Sequence, residues 1–127
     1  MSGSGALNAD ARRAVMMAAF QALATDIGDD VHSVMDLYVE CTAEALDRLS
    51  AALAAQSIEE SARAAHACAG SSLLCGVRRL GRLCERIERA ACVGRFDLAS
   101  ALCRRACGEF AAVQTILRDA RETTGAL

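Results

Sequence analysis

The sequence contains no proline and no tryptophan, and aromatic residues make up only 3% of its 127 residues. Proline breaks helices, and aromatic side chains are enriched in strands. With alanine abundant and 54% of the residues hydrophobic, the composition favours closely packed helices over a sheet. A chain of this length is expected to fold as one domain with a proper buried core.

Long apolar runs are also missing, since none approaches the roughly 20 residues of a membrane-spanning helix. There is no glycine-rich phosphate loop or other nucleotide motif, so we expect no ATP-dependent kinase activity. The net charge of −2 gives no drive toward nucleic acid or a membrane surface. Arg12–Arg13 and the apolar run after them resemble a signal peptide only vaguely, because Gln21 interrupts the run. We therefore expect a cytoplasmic protein.

Lysine is absent as well, so all 14 basic side chains are arginine. Their distribution is uneven. Residues 1–76 carry 4 arginines and 10 acidic residues, whereas residues 77–109 carry 8 arginines and 4 acidic residues. These counts predict an acidic half with a charge of −6 and a basic half with a charge of +4, an asymmetry that would orient a docking partner.

The seven cysteines are odd in number, and most fall on apolar helix positions. This pattern favours reduced cysteines that act as small core residues over a disulfide framework. Cys103 and Cys107 lie one helical turn apart and could in principle bind a metal ion. No paired cysteine motif or nearby histidine supports that reading, so we expect packing there and no metal site.

The spacing of apolar residues predicts five helices and no strand. Short loops join the second to the fifth helix, so we expect an all-α fold, an antiparallel up-down four-helix bundle with an additional N-terminal helix over one end or side. Residues 8–121 would form this domain, between a flexible segment at 1–7, of the kind that cloning leaves, and a frayed tail at 122–127. The predicted helices are Asn8 or Ala9 to Thr25, Val31 to Ala55, Ser57 to Gly76, Val77 to Ala91 and Asp97 to Arg121.

The second predicted helix has more apolar surface than one stripe needs. Met35, Val39 and Leu46 widen it, which predicts a second contact face for the first helix or for a partner. Met35 is therefore a candidate docking residue, and homo-oligomer formation through this surface stays open. The stripes expected to face the core include Val15, Ala18, Ala19, Ala22 and Leu23 of the first helix, Tyr38, Cys41 and Ala45 of the second, and Ile58, Ala65, Cys68 and Ser72 of the third.

The third predicted helix carries His66 on its outward face, off the apolar stripe. Gly70 follows one turn later on the same face, although glycine inside a helix costs about 1 kcal/mol relative to alanine. We interpret Gly70 as an access point, because a missing side chain beside His66 lets another molecule approach the ring. An imidazole is substantially neutral at about pH 7, so one ring nitrogen is a free nucleophile.

The residues around His66 resemble those of the histidine-containing phosphotransfer (HPt) domains of multistep phosphorelays, over a span from about Gly28 to Arg121. The family usually has a lysine three residues after the histidine, where this chain has Ala69. The matching residues are His66, Gly70, Ser71, Ser72 and Gly76, followed by Leu80, Leu83–Cys84 and Ile87–Glu88.

The resemblance implies the same helical bundle and a catalytic role for His66. This histidine would accept a phosphoryl group from an aspartate of one receiver domain and pass it to another. The implied partners are response-regulator receiver domains and a hybrid sensor kinase. No cofactor of its own is implied, since the receiver domain would supply Mg²⁺.

Ala69 leaves the site without the cation that would offset the phosphoryl charge. Arg63, one turn before His66 on the same face, could replace it, because guanidinium groups suit phosphate. Arg63 could equally pair with Glu59 or Glu60, and the sequence leaves both readings open.

Several neighbours of His66 also have two readings. Ser71 and Ser72 either hold the His66 ring or bond to backbone carbonyls one turn earlier. Leu73 is either an apolar docking contact for a partner helix or a rim residue.

The arginines of the fourth helix, with Arg78 and Arg82 as docking candidates, could meet an acidic receiver surface. A plain solvated face is the favoured reading, because surface charge runs are usually that. For the whole domain the leading hypothesis is a phosphorelay intermediate. The alternatives are an HPt-like module that binds a receiver domain or another enzyme without transfer, and a plain helical interaction domain with a coincidental motif.

Overall fold

The structure is a computed structural model that describes the backbone of residues 2–125 and the side chains of residues 9–123. Within this range it contains five helices and no strand, as the sequence predicts. None of these helices is both long enough and apolar enough to cross a membrane. The helices are α1 (Ser2–Ile27), α2 (Val31–Ala54), α3 (Ile58–Leu74), α4 (Arg78–Cys92) and α5 (Phe96–Gly125).

Side-chain caps begin the two helices that lead to His66. The Asp30 carboxylate accepts hydrogen bonds from the backbone N–H groups of His32 and Ser33, at 2.9 and 3.1 Å. The Ser57 hydroxyl accepts one from the N–H of Glu60 at 3.3 Å. These bonds satisfy donors that have no partner inside the helix, and they confirm the predicted starts of α2 and α3.

The bundle is built from α2, α3, α4 and α5, with α3 packed between α2 and α4, and with α5 packed against α4 and α2. The face that α3 turns to the core carries only small side chains, so its neighbours can approach closely. The fully buried larger side chains come from the other helices. They include Phe20, Leu49, Leu80, Ile87 and Val113.

Helix α1 covers the end of the bundle where α3 turns into α4. Its Phe20 ring meets Tyr38 of α2 edge-on, with the centroids 5.6 Å apart and the planes at 73°. Arg12 forms an ion pair with Glu109 of α5. The additional N-terminal helix is therefore packed on the bundle, as expected.

Gly76, in the turn between α3 and α4, is constrained twice. Its φ of +74° is a left-handed conformation that favours glycine. A Cβ atom there would also lie 2.8 Å from the Ala19 Cβ and 3.2 Å from the Val15 carbonyl oxygen, both in α1. The turn and the seat of α1 therefore depend on the same missing side chain.

The prediction that the extra apolar surface of α2 docks a partner is wrong, because that surface packs inside the protein. Met35 is only 3% exposed and Leu46 only 4%, while Val39 is partly buried, and all three belong to the core or pack against it. The extra apolar width of α2 faces α5, whose Leu117 and Arg121 line a groove with Met35 and Val39. Met35 is thus a core residue and not a docking residue.

Other inward predictions differ from the structure by one position around a helix. Among the side chains of α1 that the structure describes, Met16, Phe20 and Ala24 are buried, whereas Val15, Ala18 and Ala22 are exposed. Cys41 of α2 and Ile58 of α3 are also exposed, although both were expected to face the core. Small or apolar residues such as alanine, cysteine and methionine occur on several sides of these helices, so apolar spacing alone does not determine which face is inward.

Helix ends also differ slightly from the predictions. α1 begins at Ser2, earlier than the predicted Asn8 or Ala9, and α5 begins at Phe96, with Asp97 in its first turn. α5 continues to Gly125, past the predicted end at Arg121. The division into a domain at 8–121 and two terminal segments stays a prediction, and Met1 and residues 126–127 lie outside the described range.

We expect Gly76→Ala to destabilise the protein more than Gly94→Ala. Gly94 has nearly the same φ, +75°, and the same pair of turn hydrogen bonds, but a Cβ there would meet nothing within 4 Å. The control should cost about 1–2 kcal/mol for the left-handed conformation. Gly76→Ala should cost about 1–3 kcal/mol more, because the new methyl group presses on α1.

Urea unfolding followed by far-ultraviolet circular dichroism measures both losses. Equal losses for the two variants would mean that α1 does not depend on this contact.

Candidate functional site

His66 lies in the middle of α3 with its side chain 78% exposed. The turn before and the turn after it on the same face hold Arg63 and Gly70, both exposed. A Cβ placed on Gly70 would meet no atom within 4 Å, so the surface one turn beyond the imidazole is open. The outward position of His66 and the bare position beside it agree with the sequence prediction.

One ring nitrogen of His66 has a fixed partner. Nδ1 lies 3.2 and 3.1 Å from the two carboxylate oxygens of Glu88, on the adjacent helix α4. An ionised carboxylate only accepts hydrogen bonds, so Nδ1 carries the proton of this contact. In the neutral ring the lone pair is then on Nε2, for which the described residues supply no hydrogen-bond partner.

Glu88 is the functional residue that residue-by-residue reasoning missed. It belongs to the string that carries the family resemblance, but the sequence indicates no role for it. Its side chain is 30% exposed and lies on the α3 flank of α4, whereas the arginines of α4 point outward. The sequence signal that could have revealed Glu88 is its position on the side of α4 that packs against an antiparallel α3.

Leu73 and Gly81 show how closely α3 and α4 approach each other. A Cβ on Gly81 would lie 2.7 Å from Leu73 Cγ and Cδ2, so the Leu73 side chain rests directly on the Gly81 backbone. Leu73 is nevertheless 40% exposed. It is therefore a fixed apolar side chain on the surface, two turns from His66.

Neither serine after Gly70 holds the His66 ring. The Ser71 hydroxyl donates to the Cys68 carbonyl at 3.3 Å, the local bond that the sequence left open. The Ser72 hydroxyl is buried and lies 2.7 Å from the Tyr38 hydroxyl of α2. Burial raises the pKa of Tyr38 above its ordinary value, so this phenol stays neutral and protonated. The contact ties α3 to α2 from below the site.

Arg63 is engaged in the pairs that the sequence offered as one reading. Its guanidinium lies 3.3 Å from carboxylate oxygens of both Glu59 and Glu60. All three side chains are more than half exposed, so these pairs contribute little to stability and can exchange for another anion.

Ala69 does not share the outward face with His66, contrary to the sequence expectation. It is 4% exposed and belongs to the core cluster. A lysine at this position would have to extend outward from a buried Cβ before its ammonium group reached solvent. No cation therefore projects from the position where the family usually has one.

The α2 flank of the site adds an apolar residue that the sequence analysis did not single out. Leu37 is 57% exposed and shares a helical face with Ala45 and Arg48, which line the groove between α2 and α3. At the end of α3, Leu74 is 64% exposed. The signal for both was present as leucines off the main stripes.

Arg78 and Arg82 lie on the outer face of α4 and are exposed. Within the described part of the chain, no carboxylate lies within ion-pair distance of either one. The structure does not bring them into contact with His66.

The arrangement offers one exposed nucleophilic nitrogen on a rigid helix, with its ring held by a carboxylate and open space beside it. Such a group can accept and release a phosphoryl group, because that transfer needs positioning and charge neutralisation more than covalent help from the protein.

A family model for the Hpt domain matches residues 33–123, which is more than half of the chain and includes every residue of the site. No curated protein and no solved structure matches the chain.

Proposed function

Since the chain belongs to the Hpt domain family, a family of phosphorelay signalling whose members interact with receiver domains, we propose that His66 is its phosphoryl carrier. It would take the group from a receiver-domain aspartate and pass it to another receiver. The observation that carries this proposal is the exposed imidazole whose Nδ1 is held by Glu88, with Nε2 free.

In the proposed transfer the Nε2 lone pair attacks the phosphorus of an aspartyl phosphate. The N–P bond forms as the P–O bond to the aspartate breaks, and the electron pair of that bond stays on the aspartate carboxylate. Nδ1 keeps its proton, and the Glu88 carboxylate offsets the positive charge that the ring acquires. Passing the group on to a second receiver reverses these steps.

The docking surface in this proposal is the apolar rim around His66. Leu73 and Leu74 are exposed in the turn of α3 after Gly70, where a Cβ would meet no atom within 4 Å, and Leu37 is exposed on α2. Exposed leucines close to a reactive group suit an apolar partner helix. We assign the hybrid sensor kinase as the upstream partner and the cytoplasm as the location within the same proposal.

Charge neutralisation is the step that this chain supplies least. Ala69 is buried and Arg63 is paired with Glu59 and Glu60, so the Mg²⁺ and the cations of the partner receiver would neutralise the transferring group. The same observation favours the second candidate, a docking module without transfer, and the two candidates differ in whether His66 becomes phosphorylated.

We expect wild-type protein to acquire an acid-labile, base-stable label when it is incubated with phosphorylated receiver domains and Mg²⁺. His66→Gln should acquire none, because amide nitrogen is not a nucleophile. The matched control is His32→Gln, which changes the other histidine and should retain the label. No label on wild type, with a receiver still bound, would favour the docking module.

We expect Glu88→Ala to slow phosphorylation of His66 by about 10- to 100-fold, because the ring loses the group that orients it. Glu88→Gln should slow it less, since the amide oxygen can still accept from Nδ1. Single-turnover transfer from one receiver measures the rates.

Glu85→Ala is the control for Glu88, because it removes a carboxylate from the same helix one turn earlier. An equal effect of Glu85→Ala and Glu88→Ala would show that general charge, and not the contact to Nδ1, governs the rate.

A further inference from the structure

We propose that the groove between the end of α4 and the start of α5, named here the arginine groove, is a second docking surface that takes an acidic protein segment with apolar side chains. The groove has a volume of about 360 Å³. Its lining includes three arginines, Arg86, Arg89 and Arg95, and three apolar residues, Val93, Leu98 and Leu102. This inference goes beyond the proposed function and does not depend on phosphorylation of His66.

The charge of the arginine groove has no counterpart inside the protein. Arg86, Arg89 and Arg95 are exposed, and no carboxylate of the described residues lies within ion-pair distance of them. No acidic residue is among those described as lining the groove. Three guanidiniums around one cleft raise the local positive potential and attract carboxylates, which they can bind with two parallel hydrogen bonds.

The apolar part of the groove lining selects among anionic partners. Val93 is 70% exposed, the largest exposure among the large hydrophobic side chains that the structure describes, and Leu98 is partly exposed beside it. Covering them requires apolar side chains, which a nucleic-acid backbone lacks. A protein segment that alternates carboxylates with apolar residues matches both features.

The arginine groove and the His66 site lie on opposite flanks of α4. Glu88 faces α3 and contacts His66, while Ala90 and Arg86 line the groove with residues of α5. A segment in the groove would leave the His66 ring exposed. The domain could therefore hold one partner while a receiver docks at the other face.

The test measures binding of a fluorescein-labelled synthetic peptide of alternating glutamate and leucine pairs by fluorescence anisotropy at low salt. The variant Arg86→Ala/Arg89→Ala/Arg95→Ala should weaken binding by about tenfold or more, as expected for the loss of three charge contacts. Arg79→Ala/Arg104→Ala/Arg118→Ala removes the same charge from exposed positions elsewhere and should change binding less than about twofold.

A second variant tests the apolar part of the groove lining. Val93→Ser should weaken binding of the glutamate–leucine peptide by about threefold and leave binding of an all-glutamate peptide unchanged. Thermal unfolding checks that each variant is folded, which we expect because the substituted side chains are exposed.

Three results would overturn the proposal. Equal weakening by the two triple variants would show a nonspecific effect of net charge. Tighter binding of a DNA duplex or of phosphatidylglycerol vesicles through the same three arginines would identify a different occupant. Self-association that only the groove variant abolishes would identify a second copy of this chain.

Discussion

The packing of α3 between α2 and α4 is the constraint on which the rest of the structure depends. The core-facing side of α3 carries Ser61, Ala65, Cys68 and Ser72, all small and all buried. Small side chains let helix backbones approach closely, so α3 packs tightly between α2 and α4 and exposes one narrow outward face. The buried hydrogen bond between Ser72 and Tyr38 fixes the position of α3 relative to α2. Removing either hydroxyl would leave the other without its partner, at a cost of about 1–3 kcal/mol.

This packing explains how a single exposed side chain can be held precisely. His66 stands on the narrow face of α3, and α4 passes close enough for Glu88 to reach Nδ1. The same approach seats Leu73 on Gly81, where any side chain would clash. The ring is therefore oriented by a neighbouring helix while its other nitrogen stays open to a partner. The packing of α3 between α2 and α4 therefore both holds the His66 ring and leaves its outer side accessible.

The fold shows where the charged side chains lie relative to His66. The site itself is poor in free cations, because Arg63 is paired and Ala69 is buried. Among the arginines for which the described residues supply no ion pair, Arg78 and Arg82 lie on the outer face of α4, and Arg86, Arg89 and Arg95 line the arginine groove. Transfer at His66 would consequently rely on the cations of a partner, while the positive charge of this chain is available for holding a partner elsewhere.

Local signals predicted the helices well. Asp30 and Ser57 cap α2 and α3 at the starts predicted for these helices, and left-handed glycines lie in the turns at Gly28, Gly76 and Gly94. The inward face of α4 was the easiest to predict, since arginines mark its outer face and apolar residues its inner face. The inward faces of α1 and α2 were harder to predict, because apolar residues occur on several sides of these helices. Met35, Cys41 and Val15 were therefore assigned to the wrong environment.

The outward position of His66 could be predicted because this residue falls off the apolar stripe of α3. Its contact with Glu88 could not, because that contact depends on the register between two helices, and no local pattern of either helix specifies that register.

The central claim is that Glu88 holds Nδ1 and thereby leaves Nε2 of His66 to carry the phosphoryl group. The most direct measurement is nuclear magnetic resonance of ¹⁵N-labelled protein phosphorylated by a receiver domain, with the ³¹P–¹⁵N coupling assigned to one ring nitrogen. The account predicts coupling to Nε2, with Nδ1 still protonated. Coupling to Nδ1 would contradict it, because the nitrogen held by Glu88 would then be the nucleophile.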